Sequence, residues 1–149
     1  MKAITLYEPF ASLMAIGAKK NETRPIQINH RGEICIHAAL KTVDGISIEV
    51  LNAFRNRAEP MIWKFGCIIA VVDLWDVQPS WRFVRKATRL DQIEISEEEF
   101  SFGDYSTGRW IYRTERLRRL KTPVPCKGFQ CVGWTVQEEI KTEVLRQLP

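Results

Sequence analysis

The chain of 149 residues has few of the side chains that bind metals or build disulfide frameworks. Its two histidines, His30 and His37, lack metal-ligand spacing, and none of its four cysteines belongs to a Cys-x-x-Cys pair. The cysteines are Cys35, Cys67, Cys126 and Cys131. We therefore expect no metal site, no cofactor and no disulfide, with the thiols free and buried.

Long apolar segments are also absent. No uncharged run approaches the length of a membrane span, and the N-terminal residues lack the apolar core of a signal peptide. We therefore expect a cytoplasmic protein without membrane contact. No repeat, low-complexity tract or linker interrupts the sequence, so residues 1–149 are predicted to form a single domain.

The composition is that of a folded protein with a small excess of positive charge. Hydrophobic residues make up 45% and charged residues 27% of the chain, which are globular values. Lysine and arginine number 22 against 18 aspartates and glutamates, a net charge of +4. This excess mildly favours polyanionic partners such as nucleic acids.

Hydrophobic periodicity predicts more strands than helices. The predicted strands include 2–7, 33–39, 65–75, 109–117 and 132–136, and the predicted helices are 9–16, 44–57 and 137–148. The acidic stretch 94–99 is expected to be a solvated loop. This pattern favours an α+β protein with a mainly β core, folded as a small mixed, mostly antiparallel barrel with helices at its ends.

The segment Gly17–Arg24 concentrates charge where the first helix should end. Gly17 suits the left-handed residue that closes a helix, and an extended continuation places Glu22 and Arg24 on one side and Thr23 on the other. Lys19, in the preceding turn, could join them around a polar ligand. The alternative is a solvated turn with a surface ion pair.

Other charged or polar positions also have two interpretations. His37 faces either a polar cleft or a hydrogen-bonded core. Residues 81–89 alternate aromatic and basic side chains, and the strand from Arg109 has a strongly basic face that Arg116 extends. Both segments could contact phosphate, or they could be ordinary basic surfaces.

Several motifs in order resemble the ASCH domain family. They are Ala3–Phe10, Gly17–Arg24, Arg31–Gly32 with Ile36–Ala38, Phe102–Tyr105 with Gly108–Trp110, Pro123–Gly128 and Trp134. The resemblance covers nearly the whole chain and implies a PUA-like β-barrel whose cleft is lined by the Gly-x-Lys-x-x-Glu-x-Arg run. It also implies binding of RNA or nucleotides. Some small members resemble amidohydrolases that deacetylate N4-acetylcytidine, and others are described as ribonucleases.

The sequence departs from the amidohydrolase branch at the proposed nucleophile. That branch has a threonine three residues after the lysine, where this chain has Glu22. A carboxylate beside Lys19 predicts a raised lysine pKa and a poor base. The distant glutamate of that branch has several candidates here, namely Glu94, Glu97, Glu98 and Glu99.

Three functional hypotheses follow. In a binding module, Lys19 and Arg24 meet phosphate or a base edge, Glu22 accepts from an exocyclic amine, and Tyr105 or Trp110 stacks on the base. The remaining candidate binding residues are Tyr7, His37, Arg109 and Lys127. In a metal-independent hydrolase acting on a modified nucleoside or RNA, Glu22 is the general base and Lys19 with Arg24 stabilises the oxyanion. A protein-interaction domain would use the charged cleft only to hold its loops together.

Overall fold

The computed structural model describes residues 1–149 as an α+β protein built on one mixed sheet of six strands. The strands of this sheet are β1 (Lys2–Glu8), β2 (Asn21–Arg24), β3 (Gly32–Thr42), β4 (Cys67–Pro79), β7 (Trp110–Pro125) and β8 (Trp134–Thr135). Two short strands, β5 (Phe83–Val84) and β6 (Ile93–Glu94), pair separately. The helices are α1 (Phe10–Ala15), α2 (Ile48–Asn56), α3 (Glu97–Ser101) and α4 (Glu138–Gln147).

The order of strands across the sheet is β2-β7-β4-β3-β1-β8. Within this sheet only the β1–β3 pair is parallel, so the prediction of a mostly antiparallel β core is confirmed. Register shifts at three points of the β4–β7 pairing bend these two long strands. The sheet remains open because its two edges, β2 and β8, do not pair with each other. Closure into a barrel is therefore not confirmed.

Alternating residues of the strands pack against helices on both faces of the sheet. Ile4 and Ile36 belong to a cluster that includes Met14 of α1, whereas Ala3 and Cys35 pack in a second cluster with Val144 of α4. This is the period-two pattern of a sheet buried on both faces. A third cluster joins α1, α2 and Phe102.

Two local predictions from the sequence are wrong. The acidic stretch expected to be a loop contains α3, where the Ser96 hydroxyl accepts from the Glu99 N–H at 3.1 Å. The carboxylates of its first turn interact favourably with the helix dipole, and this stabilisation outweighs their mutual repulsion. Strand β7 also continues to Pro125, eight residues past its predicted end at Leu117, because it pairs with β4 as far as Cys67.

The cysteines differ from the prediction in their burial. All four cysteines are free, but only Cys35 and Cys67 are buried, while Cys126 is half-buried and Cys131 is exposed. None of the helices is long and apolar enough to cross a membrane. No group of three or more His, Cys, Asp or Glu side chains is arranged to hold a metal ion.

Candidate functional site

The turn after α1 brings three of the four charged residues of the Gly17–Arg24 segment together, namely Lys19, Glu22 and Arg24. Gly17 has φ +80°, as predicted for the residue that ends a helix, and β2 then pairs with β7 through Asn21–Arg24. The Nζ of Lys19 lies 3.7 Å from Glu22 Oε1, and Arg24 Nη2 lies 3.2 Å from Glu22 Oε2. Glu22 is therefore placed between two cations.

Glu22 and Arg24 are fixed by further hydrogen bonds. Glu22 Oε1 accepts from the Thr23 N–H at 2.9 Å, and Arg24 Nε donates to Glu22 Oε2 at 3.3 Å. Arg24 Nη2 also donates to the Thr5 carbonyl at 2.6 Å. Arg24 Nη1 has no protein partner and remains open to solvent. The guanidinium is thus held on one side and has free donors on the other.

Lys19 is a buried member of this group rather than a residue of the cleft surface. Its side chain is 1% exposed, and its Nζ donates to the Phe102 carbonyl at 2.7 Å. Burial lowers the pKa of Lys19, opposed by the charges of Glu22 and Glu99. The expectation of a raised pKa is therefore wrong, because desolvation outweighs the neighbouring carboxylate.

Of the four candidate late glutamates, Glu99 is the one that lies at the Lys19 turn. Its carboxylate is buried next to the Lys19 turn and accepts from the N–H groups of Lys20 at 2.7 Å and Asn21 at 3.5 Å. Burial raises the pKa of Glu99, and the Lys19 ammonium opposes this shift. A signal was present in the sequence, since Ser96 three residues before Glu99 is a capping pattern that places this glutamate in a first helical turn.

The other three candidate glutamates point away from this group. Glu94 accepts from the Ala87 N–H at 2.9 Å, Glu97 pairs with Arg85 at 2.7 Å, and Glu98 pairs with Arg57 at 2.9 Å. They stabilise surface segments.

An open cavity of about 550 Å³ lies in front of Glu22 and Arg24. We call it the first cavity. Its lining residues are Thr5, Leu6, Tyr7, Phe10, Glu22, Thr23, Arg24, Ser101, Phe102, Gly103, Asp104, Arg109 and Gln130. Two carboxylates and two guanidinium groups are among them, so the lining has no net charge. Its aromatic surface comes from Tyr7, Phe10 and Phe102.

A second cavity of about 360 Å³ adjoins the first, and the two share Thr5, Tyr7 and Gln130. His37 and Lys127 line this second cavity together with Lys41. The structure therefore places Tyr7, Glu22, Arg24 and Arg109 at the first cavity and His37 with Lys127 at the second.

His37 is held in a buried chain of hydrogen bonds. Trp134 Nε1 donates to Thr5 Oγ1 at 3.0 Å, Thr5 Oγ1 lies 3.2 Å from His37 Nδ1, and His37 Nε2 lies 3.0 Å from the Cys126 carbonyl. A carbonyl can only accept, so Nε2 carries the proton and Nδ1 accepts from the Thr5 hydroxyl. Burial lowers the pKa of His37, against the effect of the Cys126 carbonyl, and this favours the neutral ring. Both sequence interpretations of His37 are therefore partly met, since the residue is 2% exposed yet borders a cavity.

The two proposed stacking residues do not line either cavity. Tyr105 packs against Phe100 with ring centroids 4.7 Å apart, and its hydroxyl accepts from Asn21 Nδ2 at 3.3 Å. Trp110 packs against the main hydrophobic cluster. Tyr105 lies in the loop before β7 and Trp110 is the first residue of β7, and both are used in packing within the protein.

The basic face predicted on β7 is neutralised by acidic partners. Arg113 pairs with Asp76 at 3.2 Å, Arg116 with Asp73 at 2.9 Å, and Arg119 with Glu59 at 2.7 Å. Arg118 contacts both Asp73 and Glu33. These arginines stabilise the strand pairing and form no free track for a phosphate backbone.

Comparisons with known proteins identify the fold. No family model matches the sequence, and no curated protein matches it. Among solved structures, the ASCH protein of Zymomonas mobilis is similar with a TM-score of 0.54 and 12% identity, over 99% of this chain and 95% of that one. A tyrosine-to-phenylalanine variant of that protein has a TM-score of 0.55 and 12% identity, over 99% of this chain and 98% of that one. A serine-to-alanine variant of the same protein has a TM-score of 0.54 and 12% identity, over 99% of this chain and 96% of that one. The chain therefore has an ASCH-like fold.

Proposed function

We propose that the first cavity binds the base of a nucleoside or nucleotide, free or as part of RNA. The observation that carries this proposal is the state of Arg24. Arg24 lines the cavity, its Nε and Nη2 are held by Glu22 and Thr5, and its Nη1 has no protein acceptor. A fixed guanidinium with free donors is suited to a planar acceptor edge.

The Glu22–Arg24 pair supplies an acceptor next to a donor. The protein directs three hydrogen bonds at the Glu22 carboxylate, and the Lys19 ammonium lies 3.7 Å from its Oε1. The exposed part of the carboxylate accepts from an exocyclic amine, while Arg24 Nη1 donates to the neighbouring ring nitrogen or carbonyl. This pattern fits the amino bases cytosine and adenine and disfavours uracil, which presents a carbonyl at the position of the amine.

Aromatic side chains around the same cavity provide a stacking surface. Tyr7 is 39% exposed, and Phe10 and Phe102 lie on the same lining. Stacking of a base on such a ring contributes about 1–3 kcal/mol to binding. Tyr7 therefore takes the role that the sequence assigned to Tyr105 or Trp110.

A hydrolase acting on a modified nucleoside is a second candidate, supported by the lowered pKa of the buried Lys19 amine beside Glu22. Lys19 does not line the cavity, so it would act on a substrate only through Glu22. Glu22 would take a proton from water, and Arg24 Nη1 would stabilise the oxyanion formed when the hydroxide adds to the substrate carbonyl. The C–N bond would then break as Glu22 passes the proton to the departing amine. Incubation with N4-acetylcytidine and detection of cytidine tests this candidate. Activity that persists in Glu22→Gln would exclude Glu22 as the base.

Calorimetric titration with cytidine, adenosine and uridine tests the binding proposal. We expect cytidine or adenosine to bind at least about tenfold more tightly than uridine, a difference of about 1.4 kcal/mol. Arg24→Lys keeps the charge but removes the planar fork, and it should weaken binding by about tenfold. Arg55→Lys is the matched control, because Arg55 is exposed on α2 and has no ion pair. Equal affinities of the wild type and Arg24→Lys would contradict the proposal.

A further inference from the structure

We propose that the second cavity is a phosphate subsite, formed by the loop Lys127–Gln130 together with Lys41. The identity of the ligand rests on the proposed function, because the nucleoside that bears this phosphate would occupy the first cavity. The ligand would then be a nucleoside phosphate rather than an unmodified nucleoside.

The charges of the two linings distinguish the cavities. The second cavity is lined by Lys41 and Lys127 and by no aspartate or glutamate, whereas the charges of the first cavity cancel. Both lysines are exposed, and neither forms an ion pair. An anion is therefore favoured in the second cavity and has no net attraction to the first.

The loop itself provides neutral donors. The backbone N–H groups of Lys127, Gly128, Phe129 and Gln130 donate to no acceptor within the chain. Three of these residues, Lys127, Gly128 and Gln130, line the second cavity. Consecutive free N–H groups beside a lysine are a common form of phosphate site.

The buried His37 chain holds this loop in place. The ring donates from Nε2 to the Cys126 carbonyl, and the Cys126 N–H donates to the Gly66 carbonyl at 3.1 Å. Gly128 packs on the imidazole so closely that a Cβ at this position would lie 2.2 Å from His37 Cε1. His37 is thus a positioning residue, and the donors of the loop are fixed before a ligand arrives.

The shared walls connect the two subsites. Thr5, Tyr7 and Gln130 line both cavities, so a base at Glu22 and Arg24 and a phosphate at Lys127 would belong to neighbouring parts of one ligand. A 5′-phosphate and a 3′-phosphate offer the same oxygens to the loop. The experiment distinguishes these two positions.

The test combines calorimetry with residue-resolved amide NMR. Cytidine, cytidine 5′-monophosphate and cytidine 3′-monophosphate are titrated into the wild type, Lys127→Gln and Lys86→Gln. Lys86 is an exposed lysine without an ion pair and outside both linings, so it controls for net charge. Inorganic phosphate is titrated separately into the wild type, with the amide signals of residues 127–130 as the readout.

We expect one of the two monophosphates to bind about tenfold more tightly than cytidine, which corresponds to about 1.4 kcal/mol. Lys127→Gln should remove most of this advantage and leave the cytidine affinity within about twofold, while Lys86→Gln behaves as the wild type. Inorganic phosphate should shift the amide signals of residues 127–130. Equal affinity for cytidine and both monophosphates would overturn the subsite.

The titration with inorganic phosphate distinguishes the proposed phosphate subsite from the proposed base-binding function. If phosphate shifts the loop amides but neither cytidine nor its monophosphates bind, the subsite stands and the proposed function fails. If cytidine binds but phosphate leaves the amides of residues 127–130 unchanged, the proposed function stands and the subsite fails.

Discussion

At the scale of single residues, burial determines the chemistry of the site more than proximity along the chain. Lys19 and Glu22 are three residues apart, and their proximity alone predicts a raised lysine pKa. The fold instead buries Lys19 beneath the cleft, between Glu22, Glu99 and the Phe102 carbonyl, where desolvation lowers the pKa. Lys19 therefore holds the turn that presents Glu22 and Arg24.

This role predicts a loss of stability when Lys19 is replaced by methionine. Lys19→Met leaves the Phe102 carbonyl without its donor and removes a cation from Glu22 and Glu99. We expect the free energy of unfolding to fall by about 2 kcal/mol, measured by urea denaturation. Lys20→Met is the control, because the exposed Lys20 side chain should change stability by less than about 0.5 kcal/mol. A more stable Lys19→Met variant would mean that the burial cost of the ammonium exceeds the contribution of its contacts.

At the scale of elements, two short segments place the functional groups. Helix α3 has only five residues, yet it brings Glu99 to the Lys19 turn. The loop 126–130 has no regular structure, yet it carries the free amides of the second cavity. Each segment depends on one small residue, Ser96 as the cap of α3 and Gly128 as the contact with His37.

Gly128→Ala tests the packing of the loop on His37. The added Cβ would overlap the imidazole, so either the loop or the ring has to move. We expect about 1–3 kcal/mol of destabilisation and a loss of the phosphate-induced shifts at residues 127–130, with cytidine binding retained. Gly45→Ala is the comparison, because a Cβ there meets no atom within 4 Å and tests only the cost of its φ of +74°. Unchanged phosphate shifts in Gly128→Ala would contradict the positioning role of His37.

At the scale of the whole molecule, the net charge of +4 does not come from a continuous row of unpaired basic residues that could bind a phosphate backbone. The arginines of β7 are paired with Asp73, Asp76, Glu33 and Glu59, and Arg85 is paired with Glu97. The unpaired positive charge near the cavities is limited to Lys41 and Lys127. A small ligand or a short segment of RNA therefore fits the charge distribution better than a long duplex.

The salt dependence of RNA binding measures how many phosphates the protein contacts. With about two phosphate contacts, the logarithm of the affinity for an oligocytidylate should fall with the logarithm of salt concentration at a slope of about −1.4. A track of about six contacts would give a slope near −4. Arg116→Gln should leave the slope unchanged, because Arg116 is paired with Asp73. A slope near −4 that becomes shallower in Arg116→Gln would show that β7 contacts the RNA backbone.

Features that depend on local periodicity and on residue type could be predicted from the amino-acid sequence. Weak alternation predicts β1, continuous apolar runs predict β3 and β4, helical spacing predicts α1 and α2, and Gly17 predicts the end of α1. These features are local because a side chain's position in a strand or helix follows directly from its spacing. Glu22 and Arg24 could be placed on one side of β2 for the same reason.

The tertiary structure decided which of these groups are buried and which meet. Only the packing of α3 places Glu99 at Lys19, only the pairing of β4 with β7 brings Asp73 and Asp76 to the arginines, and only the return of the loop 126–130 places Lys127 beside His37. These contacts join residues 37 or more positions apart. Burial, and with it the direction of a pKa shift, depends on the whole set of such contacts and has no signature in a local sequence window.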